Sequence, residues 1–98
     1  SATESLNLNV RIDFLRAGLP LRKLLLKRHH APGFVTGALL KYYCWQSVEH
    51  LKRDFPEEKP DLSWLILPEN RLEIRWGKFV TDALGRYLLL RRTFSRSV

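Results

Sequence analysis

One cysteine in 98 residues leaves no partner for an intramolecular disulfide, which suits a reducing compartment. No apolar run approaches the roughly 18 residues needed to span a bilayer, and the polar opening Ser1 to Ser5 lacks the basic and apolar segments of a signal peptide. A cytoplasmic location with no membrane partner is therefore expected. Catalytic signatures are missing as well: there is no nucleophile elbow, phosphate-binding loop, H-E-x-x-H or paired-cysteine motif. The titratable residues that remain are His29, His30, His50, Cys44 and scattered carboxylates. On one helix Cys44 and His50 would lie about 240° apart and could not share a metal. Glu57, Glu58 and Asp61 stand among prolines and read as solvated charge rather than as a general acid and base. No catalytic residue, metal or cofactor is assigned, and an enzyme built on this chain would have to assemble its site across a subunit interface.

What is present describes one small basic globular domain over residues 1–98, with 45% hydrophobic and 28% charged residues. Seventeen bases against ten acids give a net charge of +7. The resulting positive field attracts phosphate backbones, anionic lipid heads or an acidic protein.

The longest periodic segment runs from Thr36 to Phe55. Leu40, Tyr43, Cys44, Val48, Leu51 and Phe55 fall on one side of a helix there, Thr36 suits its N-cap and Pro56 its stop. Cys44 on that apolar stripe reads as a small buried hydrophobe. Tyr42 and Trp45 project among the charges of the other side, so a second layer or a partner must cover them. Upstream, Leu6, Leu8, Val10, Ile12 and Phe14 alternate with polar residues, which predicts a strand with one buried face. Arg16 to Gly18 turn the chain, and Pro20 opens a short helix to about His30. Ala31, Pro32 and Gly33 separate the two helices, a spacing compatible with an αα-corner.

After a charged, proline-containing loop at Pro56 to Asp61, Leu62–Leu67 and Arg71–Trp76 flank the turn formers Pro68, Glu69 and Asn70 and predict a β-hairpin. The tail from Phe79 to Phe94 matches a helical repeat better than a strand. The expected fold is therefore α+β, in the order β-α-α-β-β-α, with a small antiparallel sheet packed against helices; a winged helix with the hairpin as its wing is the alternative.

Two basic clusters carry the functional expectation. Arg22, Lys23, Lys27 and Arg28, followed by His29 and His30, form an acid-free run; Arg86, Arg91, Arg92 and Arg96 form another. The two echo each other, R-K-L-L-L-K-R at Arg22–Arg28 and R-Y-L-L-L-R-R at Arg86–Arg92, each placing bases beside leucines expected to be buried. The reading is a non-enzymatic nucleic-acid-binding or nucleoprotein-associated module that contacts phosphates through these bases. A rival reading is an adaptor or subunit that binds an acidic protein through Tyr42 and Trp45, flanked by Lys41, Lys52 and Arg53. Trp64 and Trp76 are expected to cover the core from the hairpin. So many apolar residues in so short a chain point to a homodimer or to a subunit of a complex.

Overall fold

A computed structural model describes residues 2–97, with side chains through residue 93, and no strand occurs among the described residues. Three helices follow one another: α1 (Ala2–Arg28), α2 (Gly33–Asp54) and α3 (Arg71–Ser97). α2 is the middle element. Among the described residues α1 and α3 each pack on α2 and not on one another, giving an elongated layer of 53 × 30 × 21 Å.

The α+β expectation, with its sheet, and the winged-helix alternative are both overturned by this all-helical fold. The predicted strand at Leu6–Phe14 lies within α1. Two residues advance a helix by about 200°, so strict alternation is also the pattern of a helix with two opposed apolar faces. Leu8 and Leu15 are buried toward α2, with Ile12 and Leu19 half-buried, whereas Leu6, Val10 and Phe14 are exposed. A lone strand would also need neighbours to take up its backbone hydrogen bonds, and a helix satisfies its own. Pro20 does not open a helix but lies inside α1, where its missing N–H leaves the Arg16 carbonyl without the usual partner.

α1 ends in a Schellman arrangement that the sequence signalled only weakly. His30 adopts a left-handed backbone (φ 57°), the Ala31 N–H donates to the Leu26 carbonyl at 3.0 Å, and the His30 N–H donates to that of Lys27 at 3.1 Å. Pro32 then leads into α2, which starts three residues before Thr36; the Thr36 N–H donates to the Pro32 carbonyl. At the far end the Phe55 N–H closes the last turn on Leu51 at 2.8 Å.

The predicted hairpin is likewise absent. Arg71–Trp76 forms the first turns of α3, and Leu62–Leu67 is an irregular segment. The turn formers between them act as a helix cap: the Asn70 carboxamide oxygen accepts from the Glu73 N–H at 2.9 Å, and the Glu73 carboxylate accepts from the Glu69 N–H. N-x-x-E at Asn70–Glu73 is a capping-box pattern, and it outweighs the short-range alternation of Leu72, Ile74 and Trp76. The helical expectation for the tail holds, with α3 beginning eight residues before Phe79.

The core sits where α1, α2 and the connecting segment meet. Leu15, Cys44, Val48 and Leu65 are buried together, with Leu19, Tyr43, Leu62 and Trp64 against them. The connector is thus a third wall. It is fastened to α1 by Ser5, whose hydroxyl donates to Glu58, and is shaped internally by the Trp64 indole, which donates to the Asp61 carbonyl, and by Asp61, which accepts from the Ser63 N–H and hydroxyl. Three guanidinium groups of α1 also lie over aromatic rings across the seam: Arg11 over Phe55 at 5.4 Å, Arg16 over Trp64 at 4.5 Å and Arg22 over Tyr43 at 3.8 Å.

Candidate functional site

The direction of each helix follows from its cross-contacts. Arg11 on α1 pairs with Asp54 at the end of α2 at 2.6 Å, while Arg22 lies over Tyr43, so α1 runs antiparallel to α2. On the other side Lys41 pairs with Glu73 at 2.7 Å, and Gly77 abuts Ala38 and Tyr42, so α3 is antiparallel to α2 as well. Both C-terminal halves therefore arrive at the end of the molecule where α2 begins. α3 continues past it: every described residue from Gly85 to Thr93 is exposed.

Charge is sorted along this axis. No acid occurs between Asp13 and Glu49, and none follows Asp82. The opposite end, built from the start of α1, the end of α2 and the connector, holds Glu4, Asp54, Glu57, Glu58 and Asp61. Asp54 is kept below the usual carboxylate range by hydrogen bonds from Arg11 and Arg53, and Asp61 by the Ser63 hydroxyl and N–H.

The structure thus places at one end of the molecule two basic clusters 64 positions apart in sequence, counted from Arg22 to Arg86, on two helices that, among the described residues, do not pack on each other. Lys23, Lys27, Arg28, His29 and His30 are exposed, as are Arg86, Arg91 and Arg92. Among the described residues none of these lysines and arginines pairs with a carboxylate. Arg22 differs, since its guanidinium is occupied by the Tyr43 ring and the Gly18 carbonyl, so it braces the α1/α2 seam. The side chain of Arg96 lies outside the described residues.

The second predicted cluster does not form one surface. Tyr42 packs on Gly77 and stacks on Trp45 (centroids 5.7 Å apart), and both residues are half-buried, so α3 supplies a second layer for Tyr42, which in turn covers Trp45. Lys41 is held by Glu73; their hydrogen bond raises the lysine pKa and lowers that of the carboxyl. Lys52 and Arg53 stand at the other end of α2, near Glu49 and Asp54. Cys44 is buried, and that burial pushes its thiol pKa up, away from nucleophilic use. No group of three His, Cys, Asp or Glu side chains converges on a metal position among the described residues.

The leucines of both repeats are where the sequence misled most. Leu24, Leu25, Leu88, Leu89 and Leu90 are exposed, and only Leu26 turns partly inward. Trp76, expected to cover the core, is 43% exposed and stacks on Phe79. Missed altogether was an exposed row along α3 at Leu72, Trp76, Phe79, Tyr87 and Leu90. Its near-heptad spacing was legible, but the hairpin reading cut it in two. No helix among the described residues is long and apolar enough to cross a membrane. Compared with protein-family models, curated proteins and solved structures, the chain matches none.

Proposed function

We propose that the chain is a non-enzymatic nucleic-acid-binding or nucleoprotein-associated module of the cytoplasm, with its contact surface at the shared C-terminal end of α1 and α3. The observation that supports this reading is the end-to-end sorting of charge, which leaves Lys23, Lys27, Arg28, Arg86, Arg91 and Arg92 exposed and unpaired by acid at one pole. Bases released from internal ion pairs are available to displace counterions from phosphates. Because Tyr42 packs on α3 and Trp45 stacks on Tyr42, phosphate contact rather than base stacking would carry the affinity.

The test is fluorescence anisotropy with labelled duplex and single-stranded oligonucleotides over a salt series. Binding is expected to weaken linearly in log salt, and replacing Lys23, Lys27, Arg28, Arg86, Arg91 and Arg92 by glutamine should reduce the slope by up to about one for each base in contact. Lys52→Gln with Arg53→Gln, at the opposite pole, should leave it unchanged. Absence of binding at low salt, or equal effects at both poles, refutes the proposal. The exposed Leu24, Leu25 and Leu88 to Leu90 favour a second reading, a homodimer or subunit assembled through that end. A clean monomer across micromolar concentrations in sedimentation equilibrium removes the dimer.

A further inference from the structure

α3 has three longitudinal strips. One, with Gly77 and Val80 buried, Ile74 and Leu84 half-buried and Glu73 reaching Lys41, faces α2. Next to it runs the exposed row Leu72, Trp76, Phe79, Tyr87 and Leu90, between 43% and 74% exposed. Beyond that, at about 100° per residue, lie Arg71, Arg75, Lys78 and Arg86, with Asp82 as the one acid among them. The row spans 19 positions, Leu72 through Leu90, which at about 1.5 Å each is nearly 30 Å of helix.

Exposed apolar surface of this extent calls for an occupant, and the neighbouring strip states its charge. A second copy would set one α3 cation row beside another, and like charges in close contact repel. The row runs along the outer flank of a helix at the edge of a three-helix layer; the cleft that Trp76 lines with Phe34, Gly37, Ala38, Lys41 and Glu73 takes in that one residue of the row and does not continue along it as a groove for a peptide. A flat surface that is apolar beneath and anionic above fits both features. Aromatic rings and leucines enter the boundary between headgroups and acyl chains, while the adjoining arginines and lysine meet lipid phosphates.

We infer that α3 is an interfacial helix that lays this row on an anionic bilayer surface, parallel to the membrane and without crossing it. The N-terminal half of α1 provides the contrast. Leu6, Val10 and Phe14 are similarly exposed there, but Asn7, Asn9 and Asp13 accompany them, and cations join the outer face of α1 only from Arg16 onward. The row starts well before the basic pole and ends within it, so Arg86 is common to this surface and to the proposed phosphate contacts, whereas Leu72, Phe79 and Leu90 take no part in phosphate contact.

The experiment is flotation of the intact chain with vesicles of phosphatidylcholine alone and of phosphatidylcholine with phosphatidylserine. Binding is expected to the anionic vesicles only and to weaken with salt. Leu72→Gln, Phe79→Gln and Leu90→Gln together should weaken it roughly tenfold or more, whereas Leu6→Gln, Val10→Gln and Phe14→Gln together should not. Brominated lipids should quench the tryptophan emission of the parent chain, and most of that quenching should vanish in Trp76→Phe. No flotation, equal flotation with neutral vesicles, equal loss in both triple variants, or quenching unchanged in Trp76→Phe would overturn the inference. So would a dimer in solution that the α3 triple variant dissolves while vesicles bind neither form. Oligonucleotide binding measured on the same samples separates the two proposals: its presence without flotation leaves the nucleic-acid reading standing, and flotation without it leaves the membrane reading standing.

Discussion

Substituting alanine at two glycines of α3 should move stability in opposite directions. Both Gly77 and Gly85 lie inside the helix, where glycine costs about 1 kcal/mol relative to alanine. At Gly85 a new Cβ meets nothing within 4 Å, so Gly85→Ala should realise that gain of about 1 kcal/mol. At Gly77 the Cβ would stand 2.6 Å from the Tyr42 Cβ and 3.1 Å from the Ala38 carbonyl oxygen. Neither atom can swing aside, because both are fixed to the α2 backbone. The helices must separate, at an overpacking cost of about 3 kcal/mol, which leaves Gly77→Ala destabilised by about 2 kcal/mol net. Urea denaturation followed by circular dichroism reads both. With a slope of about 1 to 3 kcal/mol/M for a small domain, the midpoint should fall by about 1 M for Gly77→Ala and rise by about half that for Gly85→Ala. Equal stabilisation of the two variants would refute the close approach of α2 and α3, and with it the account of why Tyr42 is covered.

His30→Gly should stabilise by roughly 0.5 to 1 kcal/mol, since glycine carries no penalty at φ 57°, while His29→Gly should not; thermal unfolding compares them. Leu15→Ala, at a site 4% exposed, should cost about 2 to 5 kcal/mol, whereas Leu24→Ala, at 60%, should stay within about 0.5 kcal/mol in urea titrations. Acid should destabilise in a defined way. Asp54, Asp61 and Glu73 have folded pKa values below their ordinary 3.8, 3.8 and 4.5, so their contribution is complete above those values and is lost as pH falls through the depressed ones. Lys41, raised above 10.5, contributes fully below its ordinary value and loses that contribution only as pH rises through the raised one. A Glu73→Gln variant should show a shallower acid loss below about pH 4 in denaturation midpoints, and an unchanged profile would argue against the Lys41 bridge.

Which parts of this molecule were legible in advance depended on how far each signal reached along the chain. The α2 stripe of Cys44, Val48 and Leu51 was legible because a single 3.6-residue period holds over some twenty residues. Net charge and the two basic runs were legible because they are composition, and Tyr42 required a cover that α3 supplies. Alternation at Leu6–Phe14 misled because a helix with two apolar faces and a half-buried strand write the same local pattern; only the presence of α2 on one side, and of nothing on the other, separates them. Asn70 illustrates the same limit from the other direction, since a turn former and a helix cap are the same residue until the chain beyond it is seen to coil. Burial of the leucine triplets was not in the sequence at all. It depended on where α2 begins, since α3 is long enough to run past that end of the molecule, leaving Leu88 to Leu90 exposed. Likewise the gathering of bases at one pole required both outer helices to run antiparallel to the middle one, an arrangement set by cross-helix pairs such as Arg11 with Asp54 and Lys41 with Glu73, which no local period encodes.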